Sequence, residues 1–155
     1  MQGTFEELYR EASKEFVFLN ATDGQWPNAI LLQMLPLTGE WDVIIASRKN
    51  KHYGLQRSLV SWGFNLMPRL LFRVQTYDAG AVKLVRREVF DGIPVVSRSA
   101  FAEAERLIRA ARAGYRIMAL PVETSPCQAG RSSTVRLSTV GNSLADVWRL
   151  WRSIR

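Results

Sequence analysis

Residues 15–27 read EFVFLNATDGQWP. The first half, Glu15 to Asn20, is a short run of bulky apolar side chains. Such a run suits a buried strand better than a helix, because aromatic and β-branched side chains fit a pleated surface. The second half, Ala21 to Pro27, is a turn cluster. Pro27 fits a first helical turn, and Ala29 to Leu37 can continue it. A strand that runs into a polar, glycine-containing turn is where an open α/β sheet places its ligand, at the carboxyl end of the strand.

The rest of the chain repeats this alternation. Upstream, Thr4 to Lys14 reads as a helix, with Phe5, Leu8, Tyr9 and Ala12 at helical spacing. Downstream, Trp41 to Ser47 is an apolar strand and Lys49 to Gly54 a basic loop. Leu55 to Phe72 is long and apolar, and Pro68 is expected to kink or divide it. Ala81 to Arg86 is a further strand. Ser97 or Ser99 can cap a helix that runs to Ala113 and ends at Gly114. That helix is expected to bury Phe101, Ala104, Leu107, Ile108 and Ala111, and to pair Glu105 with Arg109. Tyr115 to Val122 is again a strand, Thr124 to Arg136 a polar loop, and Ser143 to Ile154 a final helix. The alternation predicts an α/β domain with a mainly parallel sheet and flanking helices.

Composition agrees with one globular domain: 155 residues, 47% hydrophobic and 23% charged. No apolar run reaches the roughly 18 residues that span a bilayer. The acidic, helical start resembles neither a signal nor a transit peptide. The single Cys127 excludes a disulfide within the chain, and the single His52 excludes a His-pair metal site. The net charge is +7. Residues 98–155 hold ten basic against four acidic side chains, so most of the excess lies there. It would attract phosphate, whether of a nucleotide, a nucleic acid or a membrane surface. No nucleic-acid recognition motif accompanies it, and no nucleic-acid partner is expected.

Several strings recur together in one known family. Phe18 to Gln25 (FLNATDGQ), with Asp23, Gly24 and Gln25, resembles the metal-binding segment of family-two glycosyltransferases, in particular those that act on polyprenyl or dolichyl phosphate. Trp41 to Arg48 is similar to their Asp-Val-Val-x-Gly-Ser-Arg strand and turn. Arg57 to Ser61 with Asn65 to Arg69 resembles their Arg-x-x-x-Ser…Asn-x-x-x-Arg helix. Tyr77 to Arg87 resembles their Asp-x-x-x-Gly-x-Lys segment, through Asp78, Gly80, Lys83, Arg86 and Arg87. Gly114 to Val122 and Ala129 to Ser132 match two later strings, the last being the end of an Arg-x-x-Gly-x-Ser motif. The matches come in family order over about residues 5–140.

The resemblance implies a partial GT-A (Rossmann-like) domain over residues 1–140, with the first donor-binding strands expected before Met1, and a C-terminal amphipathic helix over 141–155. It implies transfer of a sugar from a nucleotide sugar to a polyprenyl or dolichyl phosphate, assisted by Mg²⁺ or Mn²⁺. Asp23 and Gln25 would hold the metal, since hard oxygen donors suit these ions. Asp23, Gly24, Gln25 and Lys83 would bind the donor diphosphate. Arg131, Ser132, Arg86 and Arg87 would bind the acceptor phosphate, and Asp78 is the candidate catalytic residue. In the final helix, Leu144, Val147, Trp148, Trp151 and Ile154 recur at helical spacing beside Arg149, Arg152 and Arg155. Tryptophan with arginine on such a face suits peripheral contact with the cytoplasmic side of a membrane, or packing on the domain or a partner chain.

Two positions depart from the family. Ala21 stands where the first Asp of Asp-x-Asp falls, and Cys127 where the phosphate-motif arginine falls. Three readings therefore stay open: an active transferase, an inactive remnant or partner subunit, and a basic nucleic-acid-binding domain that rests on charge alone. Residue by residue, plainer roles exist too. Asp23 and Gln25 fit a helix-capping turn, Asp78 a solvated turn, and Lys83, Arg86 and Arg87 exposed strand ends. His52 fits a solvated loop, and Glu103 and Glu105 the polar face of a helix.

Overall fold

The computed structural model describes residues 7, 9–20, 25–49, 55–125 and 137–154, the side chains of 55–60 and 137–139 excepted. In chain order the elements are β1 (Phe16–Leu19), α1 (Ile30–Met34) with a 3-10 turn at Leu35–Leu37, β2 (Val43–Arg48), α2 (Leu55–Phe72), β3 (Lys83–Arg86), α3 (Arg87–Gly92), α4 (Ala102–Arg112), β4 (Ile117–Val122) and α5 (Leu137–Ser153). Each of the four apolar runs forms a strand. The short helix α3 is an addition, because Arg87–Gly92 carries no extended apolar period.

The four strands lie in the order β1-β3-β2-β4. β3 is antiparallel to both β1 and β2, while β2 and β4 are parallel. The sheet is therefore mixed, which corrects the expectation of a mainly parallel one. Lys83, the first residue of β3, sits opposite Leu19 and Ile45 near the ends of β1 and β2. The chain leaves β2 at its carboxyl end, passes through α2, and re-enters the sheet at that same end. A parallel crossover would have to carry it to the far end first.

Four successive residues of β2, Val43 to Ala46, are fully buried. Side chains alternate across a strand, so both faces of the sheet are covered here. The main core gathers these with Trp26, Ile30 and Met34 around α1, Leu84 and Val85 of β3, and Leu107 and Ala110 of α4. A second core joins Phe72 of α2, Phe101, Ala104 and Ile108 of α4, and Val147 and Leu150 of α5. Helix α4 thus lies between the sheet and α5.

α2 runs through Pro68 as one helix, so of the two expected effects, a kink or a division, the proline does not divide it. It ends at Arg73, whose φ is +57°, with the Val74 N–H on the Pro68 carbonyl at 3.4 Å. α4 starts at Ala102, later than a serine cap at 97 or 99 would place it. The Ser99 hydroxyl instead accepts the Phe101 N–H at 3.2 Å. Gly114 closes that helix at φ +93°, a left-handed turn that glycine enters without steric cost.

Two buried carboxylates hold the connection between α3 and α4. Glu105 of α4, 1% exposed, accepts the N–H groups of Val96 (3.2 Å) and Ser97 (2.8 Å) and the Arg109 Nε (2.7 Å). Asp146 of α5 accepts the N–H groups of Arg98 (3.2 Å) and Ser99 (3.1 Å) and pairs with Arg149 at 2.8 Å. The Glu105–Arg109 pair is as predicted, but Glu105 lies inside the protein rather than on a polar outer face.

Candidate functional site at the carboxyl edge of the sheet

β1, β2 and β4 run in one direction, so their carboxyl ends share an edge, and β3 starts there. This edge gathers Asn20 after β1, Ser47 and Arg48 at the end of β2, and Lys83 at the start of β3. The Lys49 N–H donates to the Val122 carbonyl at 3.0 Å and holds the ends of β2 and β4 together. The Ser125 N–H donates to the Gln25 carbonyl at 3.2 Å, and the Arg48 guanidinium lies 5.0 Å from the centre of the Trp26 ring. Gln25 and Trp26 are thereby fixed to the ends of two strands, which places the close of the ATDGQ stretch at this edge.

Asp78 reaches the same edge on the turn before β3. Its carboxylate pairs with Arg48 at 3.4 Å, and its carbonyl accepts the Ala81 N–H at 2.8 Å. The preceding Tyr77 has φ +53°. A bulky L-residue in that region costs on the order of 1–2 kcal/mol, so the turn is held against strain. Lys83 closes it from behind: its Nζ donates to the Ala79 carbonyl at 2.6 Å and to Glu103 Oε2 at 2.7 Å. Lys83 is 4% exposed, so it is not a solvated strand end. Burial raises the pKa of the Glu103 carboxyl. The charge and hydrogen bond of Lys83, the charge of Arg106 and a hydrogen bond from Tyr9 outweigh burial, and the group titrates below its usual range.

Two cavities flank the turn. One, of about 130 Å³, is lined by Tyr9, Leu19, Asn20, Gly80, Lys83 and Glu103. The Asn20 amide donates to Asn28 Oδ1 at 2.6 Å, while its own buried Oδ1 has no partner among the described residues. The other, of about 300 Å³, is lined by Ser47, Trp62, Asn65, Arg69, Tyr77 and Asp78. It joins three stretches that are separate in sequence: the end of β2, the Asn-x-x-x-Arg spacing on α2, and the Asp78 turn. Ser47, Asn65 and Arg69 were not among the predicted site residues. Their four-residue spacing on one helix face was the signal for the last two.

Arg86 and Arg87 are not brought to this edge. Arg86 sits opposite Phe16, at the other end of β1, about 10 Å away at the usual rise per strand residue. Its guanidinium pairs with Glu15 at 2.5 Å and Asp42 at 3.0 Å, donates to the Thr38 carbonyl at 3.3 Å and covers the Phe16 ring at 4.7 Å. Arg87 pairs with Asp91 at 3.4 Å. Asp23, Gly24, Cys127, Arg131 and Ser132, with His52, lie outside the described residues. Among the described residues no group of three or more Asp, Glu, His or Cys side chains has a metal-ligand arrangement. Asp78 and Glu103 are each already ion-paired. In its chemistry the Asp23 and Gln25 pair still fits Mg²⁺ or Mn²⁺, as two hard oxygen donors after a strand.

The apolar stripe predicted on the last helix is split. Val147 and Leu150 are buried, and Trp151 and Ile154 pack on the second core. Leu144 (47% exposed) and Trp148 (58%) face outward, Trp148 stacked on Trp151 at 5.1 Å. No helix among the described residues is long and apolar enough to cross a membrane. The chain matches no protein-family model and no curated protein.

Proposed function

We propose that this α/β domain is of the GT-A type and transfers a sugar from a nucleotide sugar to a polyprenyl or dolichyl phosphate. The observation that carries the reading is the convergence of Ser47, Asn65, Arg69 and Asp78 on one cavity at the carboxyl edge of the sheet, where such folds take their ligands. The surface around that cavity supports a lipid phosphate as acceptor. Trp62 and Leu70 on α2 are 63% and 68% exposed, next to the cationic Arg69. α2 carries no acidic side chain over its 18 residues. An apolar lip beside an arginine suits a ligand with a phosphate head and a hydrocarbon tail.

In the proposed reaction a phosphate oxygen of the acceptor attacks the anomeric carbon of the sugar. The bond from that carbon to the nucleoside diphosphate breaks, and the diphosphate leaves with the electron pair. A Mg²⁺ or Mn²⁺ ion held by Asp23 and Gln25 would offset the charge on that leaving group. Arg131, Ser132 and Arg69 hold the acceptor phosphate by charge-assisted hydrogen bonds. Asp78, oriented by Arg48, positions the sugar. The outward Leu144 and Trp148, with Arg149 and Arg152 beside them, rest on the cytoplasmic face of a membrane.

The test is transfer of labelled sugar from a panel of nucleotide sugars to polyprenyl phosphate in detergent, with Mn²⁺ or with chelator. Transfer that depends on metal and falls at least about a hundredfold in Asp23→Asn is the expected result. Metal-dependent nucleotide binding without transfer would favour a non-catalytic partner subunit, consistent with Ala21 and Cys127. Absence of both binding and transfer would retire the proposal.

A further inference from the structure

We propose that Lys83 and Glu103 are positioning residues: buried Lys83, paired with partly buried Glu103, clamps the strained Tyr77–Ala81 turn and so fixes the Asp78 carboxylate at the mouth of the cavity. The inference rests on the reading of this edge as the reaction site. It departs from the sequence expectation, in which Lys83 itself meets the donor diphosphate.

The geometry separates the two roles. An ammonium has three protons. Two of those on Lys83 are held by the Ala79 carbonyl and by Glu103, and the charge is matched by that carboxylate, while the Lys83 side chain is 5% exposed. A phosphate ligand needs a charge free to meet it; this one is already committed to Glu103 and the Ala79 carbonyl. Ala79 directly follows Asp78, so a bond on the Ala79 carbonyl sets the path of the turn. On the other side of the turn, Arg48 holds the Asp78 carboxylate. Asp78 is gripped from front and back.

The anchor behind the clamp is built on stacked rings. Arg106, 2% exposed, approaches Glu103 at 3.9 Å and lies over the rings of Tyr9 and Phe90, at 5.1 and 4.9 Å. Those rings stack on each other at 3.8 Å. A strained conformation such as that of Tyr77 persists only where its surroundings over-determine it. The chain from Phe90 and Tyr9 through Arg106, Glu103 and Lys83 to Ala79 supplies that constraint.

The test reads the turn and the reaction separately, in Lys83→Met and in Glu103→Gln, which keeps the shape of the pair and decides the matter where Lys83→Met does not fold. The Ala81 amide, bonded to the Asp78 carbonyl, reports the turn by hydrogen exchange. The Val43 amide, bonded to the Arg116 carbonyl at 3.1 Å, reports the far end of the sheet. Both variants are expected to exchange Ala81 at least about tenfold faster, with Val43 unchanged. Sugar transfer should lose about tenfold in kcat with donor KM nearly constant. Unchanged protection at Ala81, or equal loss at Ala81 and Val43, would overturn the clamp. A loosened turn with kcat unaltered would overturn its role in positioning Asp78. If the wild-type protein transfers no sugar, the exchange result still decides the clamp, and only the proposed function fails.

Discussion

Replacing Glu105 by alanine removes an acceptor from three donors at once. Ser97 is 8% exposed, so its N–H stays dry and loses its 2.8 Å bond outright. A buried donor left unpaired costs about 1–3 kcal/mol. Val96 is 65% exposed, and water can reach its N–H, so that loss is small. Arg109, with its side chain 24% exposed, can turn back to solvent and is not left as a buried unpaired charge, so the ion-pair loss is only about 1 kcal/mol. The sum is about 3 kcal/mol, or about 6–12 °C in Tm for a protein of this size. Glu105→Gln keeps one acceptor oxygen and should lose about half as much. Urea denaturation at pH 7, followed by far-ultraviolet circular dichroism, measures both. A loss below about 1 kcal/mol in Glu105→Ala would refute the accounting. Acid adds a second check. Burial raises the Glu105 pKa, but the hydroxyl and N–H of Ser97, then Arg109 and the Val96 N–H, bring it below its usual value. A group whose folded pKa is depressed contributes fully above its unfolded value, about 4.3, and loses that contribution as pH falls through the folded one. Wild-type stability should therefore drop below about pH 4.3 more steeply than that of Glu105→Ala.

Gly114→Ala should cost about 1 kcal/mol through its φ of +93° alone, because no neighbour lies within 4 Å of the added Cβ; thermal melting reads it. Trp148→Ser should lower binding to anionic lipid vesicles while leaving Tm nearly unchanged, whereas Val147→Ser, inside the second core, should lower Tm; co-sedimentation and melting separate the two. Arg69→Ala should raise the KM for polyprenyl phosphate about tenfold and leave donor KM alone, since Arg69 borders the cavity and has no ion pair among the described residues.

The strands were legible because EFVFLN, WDVIIAS, AVKLVR and YRIMALPV are short apolar runs bounded by turns, a local property. The direction of β3 was not. It depends on where the chain between Phe72 and Lys83 re-enters the sheet, and Ala81 to Arg86 looks the same read either way. The site divided in the same manner. The Asn65–Arg69 spacing and the Asp78 turn were visible as strings, but their meeting with Ser47 needed the fold. Arg86 shows the converse. As a string it resembles a phosphate ligand, yet Glu15 and Asp42, distant in sequence, claim its charge. Glu103, Glu105 and Asp146 sit at ordinary helical polar positions, and no local pattern marks a carboxylate that another element will cover.

The place of β3 in the middle of the sheet governs how the protein assembles. Phe16 meets Arg86 and Val43 meets Ile117, so neither outer strand has a hairpin partner and every pairing closes a long loop. Such high contact order slows folding. During synthesis β1 is made first, but β3 follows only about 3–13 s later at typical elongation rates. Until then the FVFL run has no neighbour among the described strands, and exposed apolar strand edges invite aggregation. Once β3 arrives, it ties β1 and β2 in one step and brings Lys83, Asp78 and Asn20 together. The carboxyl edge and the hydrogen-bonded centre of the sheet therefore form in the same event. A variant that delays β3 should reveal itself first as a loss of soluble yield in the cell, before any loss of equilibrium stability.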